Sequence, residues 1–321
     1  MKTDPLLTPF LSGGKTLILD GGLATELEKR GFDLNDPLWS TKILLENPDA
    51  IRQLHLDYLY AGADCIITAT YQATFAGIMA RGLTESQAAD LMKLATQLAL
   101  EARDLFWQDK ANHKSHLAPR SRPLVAASIG PYGAYLADGS EYRGDYNLDT
   151  AGLIDFHRKR WHLLANSGAD FLLCETIPSL AEAQAYLALA QETPNIKIAL
   201  AFSCLDGFSL SDKTKVADID PSLFDYENLI SVGINCTSPR FIPSLIKQFQ
   251  AQTELPIIIY PNSGEAWDAA NHCWTGTTHP EEFGTAVREW RRIGAGIIGG
   301  CCRTGPAHIQ AISERLRKVE R

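Results

Sequence analysis

Eight short apolar runs, at 16–20, 64–70, 124–128, 171–176, 196–203, 231–235, 256–260 and 296–300, alternate with amphipathic stretches along the whole chain. Each run is continuously apolar rather than alternating, which is how strands covered on both faces of a parallel sheet read. Helical patterns lie between them, at 86–107, 150–167, 180–191, 239–252 and 280–293; in the first, Leu91, Leu94, Leu98 and Leu105 recur near helical spacing. No internal repeat or linker interrupts the alternation. The expectation is therefore an α/β chain folded as a single (β/α)8 TIM-type barrel, with 1–321 as one domain. An open doubly wound sheet is the competing topology, but it normally splits its helices over two faces with fewer strands. A chain of 321 residues buries roughly 75% of its unfolded surface, so its core needs no disulfide support.

Charge narrows the choice of partners. With 30 Lys and Arg against 38 Asp and Glu, the net charge is −8, which argues against nucleic acid or an anionic membrane. The start, MKTDPLLTPFLSGGKT, has no basic region followed by a long apolar run, so no signal peptide is expected. No stretch of about 18 apolar residues could span a bilayer. These features together predict a cytoplasmic protein whose seven cysteines stay reduced. An odd count with Cys301 beside Cys302 suits a disulfide framework poorly. The segment 109–123 carries Lys110, His113, Lys114, His116, Arg120 and Arg122 and reads as a solvated loop. His113 and His116 have no third ligand nearby, so they are not read as a metal site.

In a parallel barrel the chemistry collects at the C-terminal ends of the strands. Those ends read Asp20, Thr70 with Tyr71, Ser128, Glu175 with Thr176, Ser203, Asn235 with Cys236, Asn262, and Cys301 with Cys302. Core packing does not call for polar residues after nearly every apolar run; a shared mouth does. Cys65, Cys174 and Cys204 sit in or beside apolar runs and read as small hydrophobes. Cys273 falls in a polar loop, NHCWTG, and is a poor ligand candidate. Cys236 follows the sixth run, and Cys301 and Cys302 follow the eighth. Barrel closure places those ends one strand apart, so three thiolates can meet although 65 positions separate Cys236 from Cys301. Three protein ligands with one open position is the arrangement of a catalytic zinc. Gly299–Gly300 leaves the backbone before the thiols free of side-chain obstruction. A packed thiol cluster or a redox pair is the alternative reading of the same spacing.

The chain resembles the zinc-dependent homocysteine S-methyltransferases over essentially its whole length. The likeness rests on LDGGLATELEKRG at 19–31, TATYQAT at 68–74, SIGPYGAYLADGSEYRGDY at 128–146, CETIPSLAEA at 174–183, GINCTSP at 233–239, YPNSGE at 260–265 and GGCCRTGPAHI at 299–309. GINC together with GGCC is its most specific part, and the resemblance implies Cys236, Cys301 and Cys302 as the zinc ligands. The loop after the third run looks most like the subgroup that takes its methyl group from S-methylmethionine. Betaine-using relatives commonly place a tyrosine after the glutamate of the fourth strand, where this chain has Thr176. Cobalamin-dependent methionine synthases share the barrel, but with 321 residues taken up by the barrel no cobalamin module is expected.

The implied reaction explains why these residue types are needed. Homocysteine must attack as a thiolate, yet a free thiol with a pKa near 8.5 is mostly protonated at pH 7. Zinc deprotonates a coordinated thiol, and a shell of three thiolates keeps the fourth sulfur electron-rich; a three-histidine site would suit water activation instead. Asp20 and Glu175 suit the ammonium group of an amino acid, and the resemblance assigns both to homocysteine; a buried salt bridge is the structural alternative. Asn235 precedes Cys236 and could hydrogen-bond its sulfur or the substrate. A cationic sulfonium donor, S-methylmethionine or S-adenosylmethionine, suits aromatic faces. Among Tyr71, Tyr132, Tyr135 and Tyr142, the expected pair is Tyr71 and Tyr132. Two rivals remain on sequence alone. A phosphate-binding barrel lyase or aldolase would leave Cys301 and Cys302 without a role, and a thiol redox or metal-binding protein would use them alone.

Overall fold

The computed structural model describes residues 3–34, 40–109, 120–264, 266–268, 273–275 and 279–317. Its eight parallel strands are β1 (Leu17–Ile18), β2 (Cys65–Ile67), β3 (Leu124–Ile129), β4 (Phe171–Ile177), β5 (Lys197–Phe202), β6 (Leu229–Asn235), β7 (Ile257–Tyr260) and β10 (Ala295–Ile298). They pair in the order β1-β10-β7-β6-β5-β4-β3-β2. The remaining seam closes through a parallel bridge between Leu19 and Cys65, where the Asp20 amide donates to the Cys65 carbonyl at 3.0 Å. The (β/α)8 barrel is thus the observed fold, with each of the eight runs inside or beside its strand. An antiparallel hairpin, β8 (Ala266–Asp268) with β9 (Cys273–Thr275), leaves the barrel between β7 and β10. Cys273 therefore opens a strand rather than lying in a loop.

The continuous apolar runs follow from two hydrophobic layers. Alternate residues such as Leu124, Ala126, Phe171, Leu173, Ala199 and Ala201 fill the barrel interior. Their neighbours Val125, Ala127, Leu172, Cys174, Ile198 and Leu200 pack outward under the helices. Side chains alternate across a strand, so only a run apolar at every position can satisfy both layers. Leu7, Phe10 and Leu11, on and beside the short helix Thr8–Leu11, pack against the interior cluster.

The helix Glu85–Gln108 starts at a reciprocal capping box between Thr84 and Gln87. Its buried stripe includes Leu91 and Leu98, but Leu105 is 50% exposed and Phe106 is buried instead. The buried face runs on through Ala95, Ala99, Ala102 and Phe106, which leaves Leu105 outside it, and it includes Arg103, whose guanidinium pairs with Asp170 at 3.0 Å. The loop 109–123 also departs from expectation at one residue. The Arg120 guanidinium is buried, donates to the Leu59 carbonyl at 3.0 Å and lies 3.3 Å from Asp64 Oδ1, where Arg317 also binds at 2.8 Å. Asp64 Oδ2 in turn accepts from the Ile18 amide at 3.2 Å, so this ion cluster fastens the β1–β2 seam. His113 and His116 lie outside the described residues. Among the described residues, no helix is long and apolar enough to cross a membrane.

Candidate active site

The C-terminal ends of β1, β2, β4, β6, β7 and β10 open into one cavity. Asp20, Tyr71, Glu175, Cys236, Cys301 and Cys302 all line it, and so do Glu141, Tyr142 and Tyr260. Strands one apart in the barrel bring the thiols together. The Sγ atoms of Cys236, Cys301 and Cys302 lie within 4.8 Å of one another, with Cys236 and Cys302 3.5 Å apart. The loop after β7 is threaded between them. Pro261 accepts from the Cys301 amide at 2.8 Å, Asn262 Oδ1 accepts from the Cys302 amide at 3.3 Å, and the Cys236 amide donates to Tyr260 at 3.2 Å.

Gly299 and Gly300 are needed there for space. A Cβ at Gly299 would lie 2.5 Å from Leu19 Cβ, and one at Gly300 would lie 2.3 Å from Thr304 Oγ1. Cys236 itself has a positive φ of 46°, a conformation costly for a side-chain-bearing residue and typical of functional sites.

Four sulfurs about 2.3 Å from a tetrahedral ion lie roughly 3.8 Å apart, so this spacing fits one soft metal ion with a fourth position open to the cavity. Of the three thiols, Cys302 is the one held well below the usual thiol range, through hydrogen bonding from Cys236 and then Cys301. The cysteines in the hydrophobic layers, Cys65 and Cys174, are buried and free, as expected of packing residues.

Asp20 and Glu175 face this cavity without ion-pair partners among the described residues, so neither forms the buried salt bridge considered from sequence. Asp20 Oδ2 accepts from the Ile67 amide at 2.8 Å, while Oδ1 is buried and unpartnered. Burial raises the Asp20 carboxyl well above its ordinary range, against the Ile67 hydrogen bond, and the Glu175 charge adds to the rise. Glu175 accepts from the Ser128 hydroxyl. Burial lifts its pKa to about 7, with Ser128 and the nearby Tyr260 drawing it back only in part. Among the described residues, no Lys, Arg or His lines the cavity. A site with surplus negative charge and no base suits cationic ligands, and does not suit the phosphate of a lyase or aldolase substrate.

Two sequence-based assignments need correction. Asn235 does not line the cavity. Its Oδ1 accepts from the Thr176 amide at 2.7 Å and its Nδ2 donates to Thr176 Oγ1 at 2.8 Å. The side chain is consumed in holding Thr176, which has a φ of 58°. Tyr132 also stays out of the cavity wall. It begins the helix Tyr132–Leu136, and its ring packs edge-on against Phe156 at 4.8 Å and Tyr146 at 5.3 Å. The ring that reaches the thiols from this loop is Tyr142, whose hydroxyl lies 3.0 Å from Cys236 Sγ. Tyr71 packs on Gly130, where a Cβ would meet its ring at 2.8 Å.

Beneath the two loops that carry these tyrosines lies a buried polar chain. Arg160 donates to the carbonyls of Gly130 and Ala73, the latter at 3.4 Å, and Tyr186 also donates to Gly130 at 3.0 Å. Arg160 also donates to His157 Nδ1 at 2.8 Å, and His157 Nε2 donates to Glu182 at 2.8 Å. Glu182 further accepts from the Tyr132 amide at 2.6 Å. Burial and then the Arg160 charge keep His157 well below its ordinary range, so it is neutral.

Comparison with known proteins agrees with this geometry. The family model described as homocysteine S-methyltransferase matches residues 17–316. A homocysteine S-methyltransferase of Bacillus subtilis is 49% identical over 304 residues, covering 95% of each chain. A selenocysteine methyltransferase of Astragalus bisulcatus is 44% identical over 98% of this chain and 96% of its own. The metallated form of the Escherichia coli homocysteine methyltransferase MmuM superposes with a TM-score of 0.84 at 41% identity, covering 96% of this chain and 99% of that one.

Proposed function

The chain belongs to the homocysteine S-methyltransferase family, and on that premise we propose that it transfers a methyl group from the sulfonium S-methylmethionine to homocysteine, forming methionine. One observation carries the reading: three converging thiols and two carboxylates without ion-pair partners share a cavity that, among the described residues, has no basic side chain. We read 1–321 as one functional unit.

Cys236, Cys301 and Cys302 would hold the metal, and an all-thiolate tetrahedral site favours zinc. When bound, zinc supplies the Lewis acidity that keeps a substrate thiol deprotonated near pH 7. Asp20 and Glu175 receive the homocysteine ammonium group, with the unpartnered Asp20 Oδ1 as one acceptor. That contact fixes the amino-acid end and leaves the thiol to reach the cysteine cluster. Tyr71 and Tyr142 provide aromatic faces for the donor cation, and Tyr142 stands against Cys236. The methyl group passes directly between sulfurs: the donor S–CH3 bond breaks, its electron pair stays on the donor sulfur, and the homocysteine thiolate forms the new bond. Holding both partners at attack distance is the main task of such a site. S-adenosylmethionine, also a sulfonium, is a second candidate donor.

The test is a donor screen with purified enzyme, homocysteine and no cobalamin, alongside metal analysis. Turnover of S-methylmethionine with one zinc per chain is expected. Turnover of betaine and of neither sulfonium would overturn the donor assignment, and an active enzyme without metal would overturn the zinc assignment.

A further inference from the structure

The cavity holds a third carboxylate that neither the thiol cluster nor the homocysteine contacts employ. Glu141 lies in the short turn Ser140–Tyr142, immediately before the tyrosine that touches Cys236. Its Oε2 is buried without a hydrogen-bond partner. The neighbouring Arg143 does not neutralise it, because its guanidinium lies 3.2 Å from Asp145 and 3.8 Å from Asp138.

The turn is seated rather than loose. Ser203 Oγ donates to the Glu141 carbonyl at 3.1 Å, tying the turn to the end of β5. On its other side, a Cβ at Gly133 would lie 2.3 Å from the Glu141 amide nitrogen, so the turn rests directly on the helix Tyr132–Leu136. A carboxylate fixed this way sits in the wall by construction. Burial, against a hydrogen bond from its own backbone, pushes its pKa to about 7, and a cation nearby favours its charged form.

A charge count of the ligands gives Glu141 a partner. Homocysteine brings one cationic group, which Asp20 and Glu175 receive. S-methylmethionine brings an ammonium group of its own and a positive sulfur, and it is the sulfur that must sit beside the thiol cluster if methyl transfer is to occur. Of the three carboxylates lining the cavity among the described residues, Glu141 is the one in the same turn as Tyr142, whose hydroxyl meets Cys236.

Resting on the donor reading above, we propose that Glu141 is the specificity residue for the methyl donor: its carboxylate, with the faces of Tyr71 and Tyr142, recognises positive charge on the donor sulfur. This recognition is spent during the reaction. Once the methyl group has left, the donor sulfur is a neutral thioether, and Glu141 again faces a ligand it does not favour. The residue therefore binds the ground-state cation and helps the product methionine depart from the donor side. The donor sulfur keeps part of its positive charge in the transition state, and an interaction retained there acts on KM more than on kcat.

The test compares wild type with Glu141→Gln and Glu141→Asp. It reads KM for S-methylmethionine and for homocysteine, kcat, metal content, and calorimetric binding of S-methylmethionine against methionine. Methionine carries the same ammonium and carboxylate, so the affinity ratio isolates the charge on sulfur. Glu141→Gln is expected to raise the donor KM about tenfold or more and to shrink the preference for S-methylmethionine over methionine by a similar factor. The homocysteine KM should stay within about twofold and kcat should change less than the donor KM. Glu141→Asp, which keeps the charge, should fall between. An unchanged donor KM and affinity ratio in Glu141→Gln would overturn the assignment while leaving the enzyme's function standing. Equal rises in both substrates' KM, with loss of metal, would show a structural role and overturn it too. A wild type that turns over no sulfonium would sink both readings.

Discussion

Asn235 grips Thr176 twice, accepting from its amide at 2.7 Å and donating to its hydroxyl at 2.8 Å. Thr176 is β-branched yet sits at a φ of 58°, so without this clamp the backbone after Glu175 would relax. Asn235→Ala should cost about 1–3 kcal/mol of stability, since it strands a buried amide and hydroxyl. Activity should fall further than stability explains, because Glu175 is the preceding residue. Chemical denaturation and steady-state kinetics check this; a variant as stable and active as wild type would show the clamp to be idle.

For the metal, replacing any one of Cys236, Cys301 or Cys302 by Ala should remove most bound zinc and activity while circular dichroism stays that of the folded barrel. The ligands sit at the strand ends, Cys236 and Cys302 outside both hydrophobic layers and Cys301 only packed against the inner one. Full activity in a zinc-free Cys302→Ala protein would refute the cluster's role.

Glu175→Gln should weaken homocysteine binding by about 1.5–3 kcal/mol, the cost of losing a charged hydrogen bond, with zinc content unchanged. It should also stabilise the free enzyme at high pH. The Glu175 pKa rises on folding from an ordinary 4.5 to about 7. Its stabilising protonation is therefore complete below pH 4.5 and lost as pH climbs through about 7. The melting temperature of Glu175→Gln should exceed that of wild type at pH 8, and the gap should narrow toward pH 5. A gap that widens on acidification would contradict the assignment.

Tyr142→Leu should weaken S-methylmethionine by about 0.5–2 kcal/mol, roughly two- to thirty-fold, while homocysteine binding changes little. Tyr132→Leu should behave differently. Its ring contacts Phe156 and Tyr146, so its loss should register as about 0.5–1.5 kcal/mol of stability beyond area burial, with the donor KM moving less than in Tyr142→Leu. Equal donor effects at the two positions would undo this distinction.

The barrel and the thiol triad were legible in the sequence because both follow from strand order alone. Eight doubly covered runs have few ways to pack, and closure puts the residues after β6 and β10 beside one another. Asp20 and Glu175 were legible for the same reason, being charged groups that end apolar strands. Which loop tyrosines face the cavity was not, since strand order says nothing about a loop's internal path. SIGPYGAYLADGSEYRGDY offers several tyrosines, and only the helix started at Pro131–Tyr132 turns the first of them into the Phe156 cluster. Asn235 was misread because a polar residue beside a ligand suggests contact with it. Its neighbour across the barrel, Thr176, bonds both ends of its amide. Glu141 carried one signal that sequence reasoning could have used: it is an acid directly before a candidate aromatic.

Arg160 draws the carbonyls of Ala73 and Gly130 to one guanidinium, adding a shared anchor to the direct bonds between the loops after β2 and β3. Asp20, Glu175 and the thiols are carried by other strand ends. The two loops thus have a fastening of their own beneath the mouth, while the contacts of Ser128 with Glu175 and of Ile67 with Asp20 join them to the rest of it. Loosening around Arg160 would leave a protein that still captures metal and homocysteine but presents no donor to it, an idle store of thiolate. By the same division, a lineage could exchange one methyl source for another by rewriting two loops, with thiol activation inherited untouched.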